Sequence, residues 1–338
     1  MIETIMYITA KLGGFSFHSN SYSTTLHRQI LLDRNLSKSK NIGSAMGSVQ
    51  WNDHKFWYQV NDLRSDCSFN GNRLDSAIPI IALGAIGKII QNVHDSRLAF
   101  YDIGANYGTY STPFLFLNSE IILVEPNPFL AACLRRTYPN GHVLERAFID
   151  INFNEKSIPI NILPSASGSS STTENVSNAN DKSFVLDASV IKQDELFEKA
   201  CPSTTPIIKL DIEGVEASLF RSGFLDFLKQ KYKSFVLMCE YETNALSSRE
   251  SKFLLDALNE FDSIVIHPYT MLNRNNLKQE MKYSINDIIR QNITLRDLLN
   301  PRAFAKKGNL MDSIADLPYA DIIIFSDSAI YEKCTLIS

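Results

Sequence analysis

Two carboxylates near a pair of glycines carry the clearest chemical signal in the sequence. Asp102 ends an apolar run, and the pattern D-x-G-x-N-x-G continues through Gly104, Asn106 and Gly108. Glycines allow a tight turn and a close approach of the backbone to a ligand. Glu125 follows the next apolar run, and an acid about 20 residues past such a turn can bind both hydroxyls of a ribose. These residues predict a nucleoside pocket.

The spacing of this turn differs from the dinucleotide fingerprint G-x-G-x-x-G. Asn106 stands where that fingerprint needs its second glycine to pass a pyrophosphate. Asp102 would repel a pyrophosphate, whereas it could accept hydrogen bonds from a cationic ligand. The predicted ligand is therefore a nucleoside with a positive, non-phosphorylated tail, and S-adenosylmethionine is such a molecule. A nicotinamide-dependent dehydrogenase is disfavoured for the same reason.

A second group of polar residues follows the apolar run 206–210. Alternation along a strand places Lys209 and Asp211 on one face, and Glu213 comes in the turn that follows. Asp211 and Glu213 are the predicted catalytic pair, because a positioned carboxylate can act as a general base worth about 10² to 10⁴ in rate. A divalent ion bridging them is an open alternative. His267 is a third candidate base, and an ion pair between Lys209 and Asp211 is the competing structural interpretation.

Short apolar runs alternating with helical patterns must position these residues. The predicted strands are 98–103, 121–124, 142–144, 207–210, 235–238, 264–266 and 322–325. Several runs are continuously apolar, which is typical of strands buried on both faces of a parallel sheet. Helices are predicted between strands at 128–138, 215–228 and 249–260. This order predicts a doubly wound α/β fold whose ligands bind along the carboxyl edge of the sheet.

The chain divides into two predicted regions. Residues 1–95 are interpreted as an N-terminal arm and helical cap, since isoleucines and alanines recur at helical spacing between 78 and 90. Residues 96–338 form the α/β domain. Within that domain, the Ser-rich segment 164–182 is predicted to be a surface loop, and the polar segment 268–320 is predicted to fold over the active edge.

Composition excludes several classes of protein. The 338 residues are 44% hydrophobic and 21% charged, which is ordinary for a globular protein. A net charge of −4 gives no broad positive field for binding nucleic acid. No apolar run is long enough to span a bilayer, and the first residues lack the features of a secretory signal. Five scattered cysteines fit a reducing compartment, so a cytoplasmic location is expected.

Three motifs together resemble the FkbM family of S-adenosylmethionine-dependent methyltransferases. They are Asp102-Ile-Gly-Ala-Asn-Tyr-Gly-Thr, Val124-Glu-Pro-Asn-Pro and Ile208-Lys-Leu-Asp-Ile-Glu-Gly-Val-Glu. The patch 168–171 also resembles a Ser-rich stretch that this family carries between its third and fourth core strands. The resemblance covers about residues 97–240, with a weaker tail to residue 326.

The resemblance implies a Rossmann-like class I methyltransferase sheet of seven strands, the last of them antiparallel. By analogy, Asp102 and the backbone from Gly104 to Gly108 would contact the methionine part of the cofactor. Glu125 would bind the ribose, and Ala147 would lie near the adenine. Family members are commonly associated with O-methylation of sugars and natural products, so the implied acceptor is a small molecule or glycan.

Two rival functions use the same fold differently. A nucleic-acid amino-methyltransferase would carry an Asn/Asp-Pro-Pro-aromatic turn after the fourth strand, where this sequence has Asp211-Ile-Glu-Gly. A noncatalytic scaffold that binds S-adenosylmethionine would keep the pocket without turnover, although the pair of Asp211 and Glu213 disfavours it. The motifs specify neither the acceptor, a metal requirement nor an oligomeric state.

Overall fold

The fold was analysed in a computed structural model of the chain. It describes residues 46–51, 54–59, 77–94, 98–162, 184–198, 204–212, 215–242, 248–267, 295–314, 317 and 319–335. The following features named above lie outside these residues: residues 1–45 of the N-terminal arm, the Ser-rich segment 164–182, Glu213, and residues 268–294 of the polar segment predicted to fold over the active edge.

Strands and helices alternate along most of the described chain. The strands are β1 (Met46–Trp51), β2 (His54–Gln59), β3 (Leu98–Ile103), β4 (Glu120–Val124), β5 (His142–Leu144), β6 (Ala147–Phe148), β7 (Ser157–Ile162), β8 (Phe184–Ile191), β9 (Thr205–Leu210), β10 (Val236–Glu242), β11 (Asp262–Ile266), β12 (Phe304–Ala305) and β13 (Tyr319–Phe325). The α-helices are α1 (Ala77–His94), α2 (Pro128–Thr137), α3 (Gln193–Leu196), α4 (Glu216–Arg221), α5 (Phe224–Lys231), α6 (Ser248–Leu258), α7 (Leu295–Leu298), α8 (Leu310–Ile314) and α9 (Ser328–Thr335). Two 3-10 helices span Thr109–Leu115 and Pro301–Ala303.

The main sheet has the strand order β5-β4-β3-β9-β10-β13-β11-β12. In this sheet β5, β4, β3, β9 and β10 are parallel to one another. Strand β13 is antiparallel to both β10 and β11. Apart from β12, this is the order 3-2-1-4-5-7-6 with an antiparallel seventh strand between the fifth and sixth. The predicted Rossmann-like class I methyltransferase sheet is therefore confirmed, and the two-residue β12 adds an eighth strand at its edge.

Several elements have bounds that differ from those predicted by the apolar pattern. The ladder between β10 and β13 continues through the pairs Glu240 with Asp321 and Glu242 with Tyr319, because ladder bonds use backbone groups and do not require apolar side chains. The predicted helix 215–228 is instead divided into α4 and α5 at Gly223, whose φ of +93° is left-handed.

The segment after the glycine turn forms the 3-10 helix Thr109–Leu115 and not an α-helix. It contains Pro113, which lacks the N–H group that an α-helix needs at that position. The side chains of β3 and β9 are all buried, as expected for central strands covered on both faces.

Two smaller β elements were not predicted from the sequence. A three-stranded sheet of order β6-β8-β7 is inserted between β5 and β9. Strands β1 and β2 form an antiparallel hairpin that packs on α2, while α1 packs against the first 3-10 helix. In the part of the segment 268–320 that the structure describes, β12 extends the sheet and α7 packs against α1 and α9. No helix within the described ranges is long and apolar enough to cross a membrane.

Candidate functional site

The carboxyl ends of β3, β4 and β9 lie side by side, and the glycine turn lies against all three. The backbone N–H of Gly104 donates to the carbonyl of Val124 at 2.9 Å, which ties the turn to β4. A Cβ atom on Gly104 would lie 1.8 Å from the carbonyl oxygen of Asp211, and the φ of Gly104 is +74°. Only glycine meets both conditions, so the turn packs directly on the end of β9.

Asp102 is fully buried at the end of β3. Its Oδ2 accepts a 2.7 Å hydrogen bond from Oγ of Ser111. Its Oδ1 makes no hydrogen bond within the described part of the chain and lies 3.5 Å from Nζ of Lys209. Burial raises the pKa of Asp102, while the Lys209 ammonium and the Ser111 hydroxyl act in the opposite direction. Oδ1 is thus paired with the Lys209 ammonium, and as a carboxylate oxygen it retains an acceptor site for a cationic ligand group.

Lys209 joins the turn to two carboxylates. Its Nζ donates to the carbonyl of Gly104 at 2.7 Å and lies 3.1 Å from Oδ2 of Asp211. The Lys209 side chain is 3% exposed and that of Asp211 is 23% exposed. The ion pair that competed with a catalytic interpretation of Asp211 is therefore present, and the same lysine also supports the turn.

Glu125 follows β4 and is buried beside the turn. Its Oε2 accepts from the N–H of Asn106 at 2.8 Å, and its Oε1 accepts from the N–H of Asn127 at 2.9 Å. Burial raises the pKa of Glu125 to about 7, although both backbone hydrogen bonds lower it. Because each carboxylate oxygen has two acceptor sites, both oxygens can still accept a hydroxyl from a ligand.

The other predicted cofactor residues lie along the same edge. Asn106 and Gly108 both have left-handed backbone conformations, with φ of +51° and +73°. Ala147 is buried in β6, soon after β5, and is paired with Val190 of β8. Ala147 follows the end of β5, the neighbour of β4, by three residues and belongs to the separate sheet of β6, β7 and β8.

The candidate bases are not all brought together. Glu213 lies outside the described residues. His267 is buried just after β11, and β13 and β10 separate that strand from β9. Three strand spacings of about 4.8 Å place His267 about 14 Å from Asp211 across the edge, so the two cannot share one proton.

Sequence reasoning overlooked two polar residues at this edge. Tyr319 and Asp321 begin β13, which runs antiparallel and therefore starts where the parallel strands end. The Tyr319 hydroxyl donates to Oδ2 of Asp321 at 3.4 Å, and Asp321 is paired with Glu240. Burial, with the charges of Asp321 and Glu240, raises the pKa of Tyr319. The expected antiparallel last strand was the signal that could have found them.

A metal site finds no further support in this geometry. Among the residues that the structure describes, no group of three or more His, Cys, Asp or Glu side chains could hold a metal ion. A divalent ion between Asp211 and Glu213 stays a prediction, because Glu213 is not among those residues.

Comparison with known proteins gave structural likenesses only. No family model and no curated protein matches the chain. The chain is similar to a precorrin-6y C5,15-methyltransferase from Geobacter metallireducens, with 11% identity, a TM-score of 0.33 and coverage of 73% of this chain and 87% of that one. It is also similar to the plantazolicin methyltransferases BamL and BpumL, each solved with SAH and a desmethylPZN analogue. For both, identity is 10%, the TM-score is 0.34, and coverage is 96% of this chain and 99% of the other. With TM-scores this low, the fold assignment rests on the strand order of the sheet.

Proposed function

We propose that this protein is an S-adenosylmethionine-dependent methyltransferase. The observation that carries the proposal is the placement of two different carboxylates around one glycine turn. Asp102 is the last residue but one of β3, Glu125 directly follows the neighbouring β4, and the turn after β3 bonds to the end of β4. This edge of a doubly wound sheet is where ligands bind, and an acidic pocket without a pyrophosphate-binding glycine favours a cationic nucleoside over a dinucleotide.

Each side chain of the pocket has a separate part in holding the cofactor. Glu125 would accept the ribose hydroxyls on the oxygen lone pairs that the backbone N–H groups leave open. Asp102 would face the positive end of the ligand through Oδ1, on an acceptor site that the Lys209 ammonium leaves open. Ala147 would lie near the adenine. The bound cofactor supplies an electrophilic methyl group.

We further propose O-methylation of a hydroxyl on a sugar, glycan or natural product, as the resemblance to the FkbM family implies. An alcohol becomes a good nucleophile when a base takes its proton, and Asp211 stands at the carboxyl end of β9 beside the turn. Lys209 holds one oxygen of Asp211 in place, so the carboxylate is oriented before the acceptor arrives. Glu213 would assist it as a second base or by orienting the acceptor.

Binding and turnover test the proposal separately. Calorimetry should detect S-adenosylmethionine and S-adenosylhomocysteine (SAH) but not NAD. Tight binding of NAD with none of SAH would refute the cofactor assignment. Radiolabelled methyl transfer into small-molecule and glycan fractions of cell extract should occur with the native protein and be lost with Asp211→Asn.

One observation favours a noncatalytic alternative. The ammonium of Lys209 compensates the charge of Asp211 at 3.1 Å, which suits a structural ion pair as well as an oriented base. A scaffold that only binds S-adenosylmethionine would bind SAH normally and transfer no label to any fraction. The same two measurements therefore separate the enzyme from the scaffold.

A further inference from the structure

The N-terminal hairpin is attached to the end of α2, next to the glycine turn. The N–H of Trp57 donates to Oγ1 of Thr137 at 3.0 Å, and the Trp57 ring lies 4.8 Å from the guanidinium of Arg136. The ring of Phe56 meets the ring of Tyr138 edge to face, with centroids 6.1 Å apart. Phe56 and Tyr138 are both almost fully buried, so the hairpin supports Tyr138 through packing.

Tyr138 in turn holds the second glycine of the turn. Its hydroxyl donates to the carbonyl of Gly108, and a Cβ on Gly108 would lie 2.6 Å from a carbon of the Tyr138 ring. Burial raises the pKa of Tyr138, so its hydroxyl stays protonated and remains a donor. The ring and the hydroxyl of Tyr138 therefore both contact Gly108.

The contact continues from Gly108 to the buried acid of the pocket. The same Gly108 carbonyl accepts from the N–H of Ser111 at 3.0 Å. The Ser111 hydroxyl then donates to Oδ2 of Asp102 at 2.7 Å. An unbroken series of packed or hydrogen-bonded groups therefore joins Phe56 on the hairpin to Asp102 in the pocket.

We propose that Tyr138 is a positioning residue of the cofactor site, and that the hairpin β1–β2 sets its position. This inference rests on the proposed function, since the turn is the proposed binding site for S-adenosylmethionine. Tyr138 touches the turn and not the ligand, so its effect is to preorganise Gly108 and Asp102. The hairpin thereby belongs to the cofactor side of the protein.

The test uses the full chain and SAH as the probe. Tyr138→Phe removes the hydroxyl that bonds to the Gly108 carbonyl and to Thr112. It should weaken SAH binding roughly fivefold by calorimetry, well below the unfolding temperature. Tyr331→Phe is the matched control, because Tyr331 is also buried and meets Phe325 edge to face at 5.4 Å outside the pocket. The control should bind SAH as the native protein does. Equal affinities of Tyr138→Phe and the native protein would overturn the inference, whatever the melting temperatures.

The role of the hairpin is tested by Phe56→Ala, alone and combined with Tyr138→Phe. If the hairpin acts through Tyr138, Phe56→Ala should weaken SAH binding alone and add little in the double variant. Additive losses would place the effect of the hairpin elsewhere. Without any ligand, Phe56→Ala should speed hydrogen exchange in peptides covering 104–111, and unchanged exchange would overturn the coupling. Failure of the native protein to bind SAH would refute the proposed function, while the exchange measurement would still decide the coupling.

Discussion

Glu125→Gln gives the sharpest test of the pocket, because a buried carboxylate makes stability depend on pH. The pKa of Glu125 rises from 4.5 to about 7 in the folded chain. Between these values the folded state keeps a proton that the unfolded state has released, so stability falls as pH rises. At about 1.4 kcal/mol per pH unit, the native protein should lose about 3 kcal/mol from this group between pH 4.5 and pH 8.

Glutamine at position 125 does not titrate, so its cost is the same at every pH. Its amide can accept from the N–H of Asn106 or of Asn127 but not from both, since its nitrogen is a donor. The stability of the native protein relative to Glu125→Gln should therefore fall as the pH rises from 5 to 8. Urea unfolding of both proteins at pH 5, 6, 7 and 8 measures the difference, in which the other titrating groups cancel. Parallel stability curves would refute the buried, proton-binding Glu125.

The affinity for SAH should also depend on the protonation of Glu125. A protonated Glu125 would point a proton at a backbone N–H or occupy a site needed for a ribose hydroxyl, so native affinity should fall as pH drops below about 7. Binding of SAH at pH 6.5 should then release a fraction of a proton from Glu125. Calorimetry would show this release as a binding enthalpy that differs between buffers with different heats of ionisation. Glu125→Gln should bind more weakly, by about 1.5–3 kcal/mol, and without this proton release. Proton release equal in the two proteins would assign it to the ligand amine.

Three further substitutions test the contacts around the turn. Gly104→Ala should destabilise the protein by more than Gly308→Ala in urea unfolding, because both glycines are left-handed but only at Gly104 would the added Cβ lie 1.8 Å from a backbone oxygen. The control should lose only about 1–2 kcal/mol. Lys209→Met should lower the free energy of unfolding by about 3–5 kcal/mol, since it leaves two buried or half-buried carboxylates without their cation. A loss below about 1 kcal/mol would show that Lys209 is not coupled to these carboxylates. Asp211→Asn should lower the free energy of unfolding by less than Lys209→Met does, because Lys209 keeps Gly104 and Asp102 as partners. The affinity for SAH should stay near native. If Asp211 is the base, the rate of methyl transfer should fall about 10² to 10⁴-fold.

Sequence alone predicted the sheet and the cofactor side of the site. The runs of β3 and β5 were placed at their observed bounds. For β3 the reason is that all six residues are buried, and burial on both faces of a strand leaves a continuous apolar run in the local sequence. The glycine turn and Glu125 were also predictable, since residues after consecutive parallel strands must meet at one edge. The seven-stranded sheet with an antiparallel last strand was implied by the family resemblance, and the main sheet has this arrangement with β12 added at its edge.

Tertiary structure decided what supports these residues. Lys209 reaches Gly104 across 105 residues of chain, and Tyr138 reaches Gly108 across 30; neither bond has a local pattern. The hairpin carries no periodicity that indicates α2 as its partner, and Tyr319 and Asp321 join the edge only because β13 enters the sheet in reverse. Local periodicity reports which face of an element is buried, whereas the partner across that face depends on how the whole chain packs. The composition of the pocket was therefore present in the sequence, and its ion pairs, supports and distances arose only from the fold.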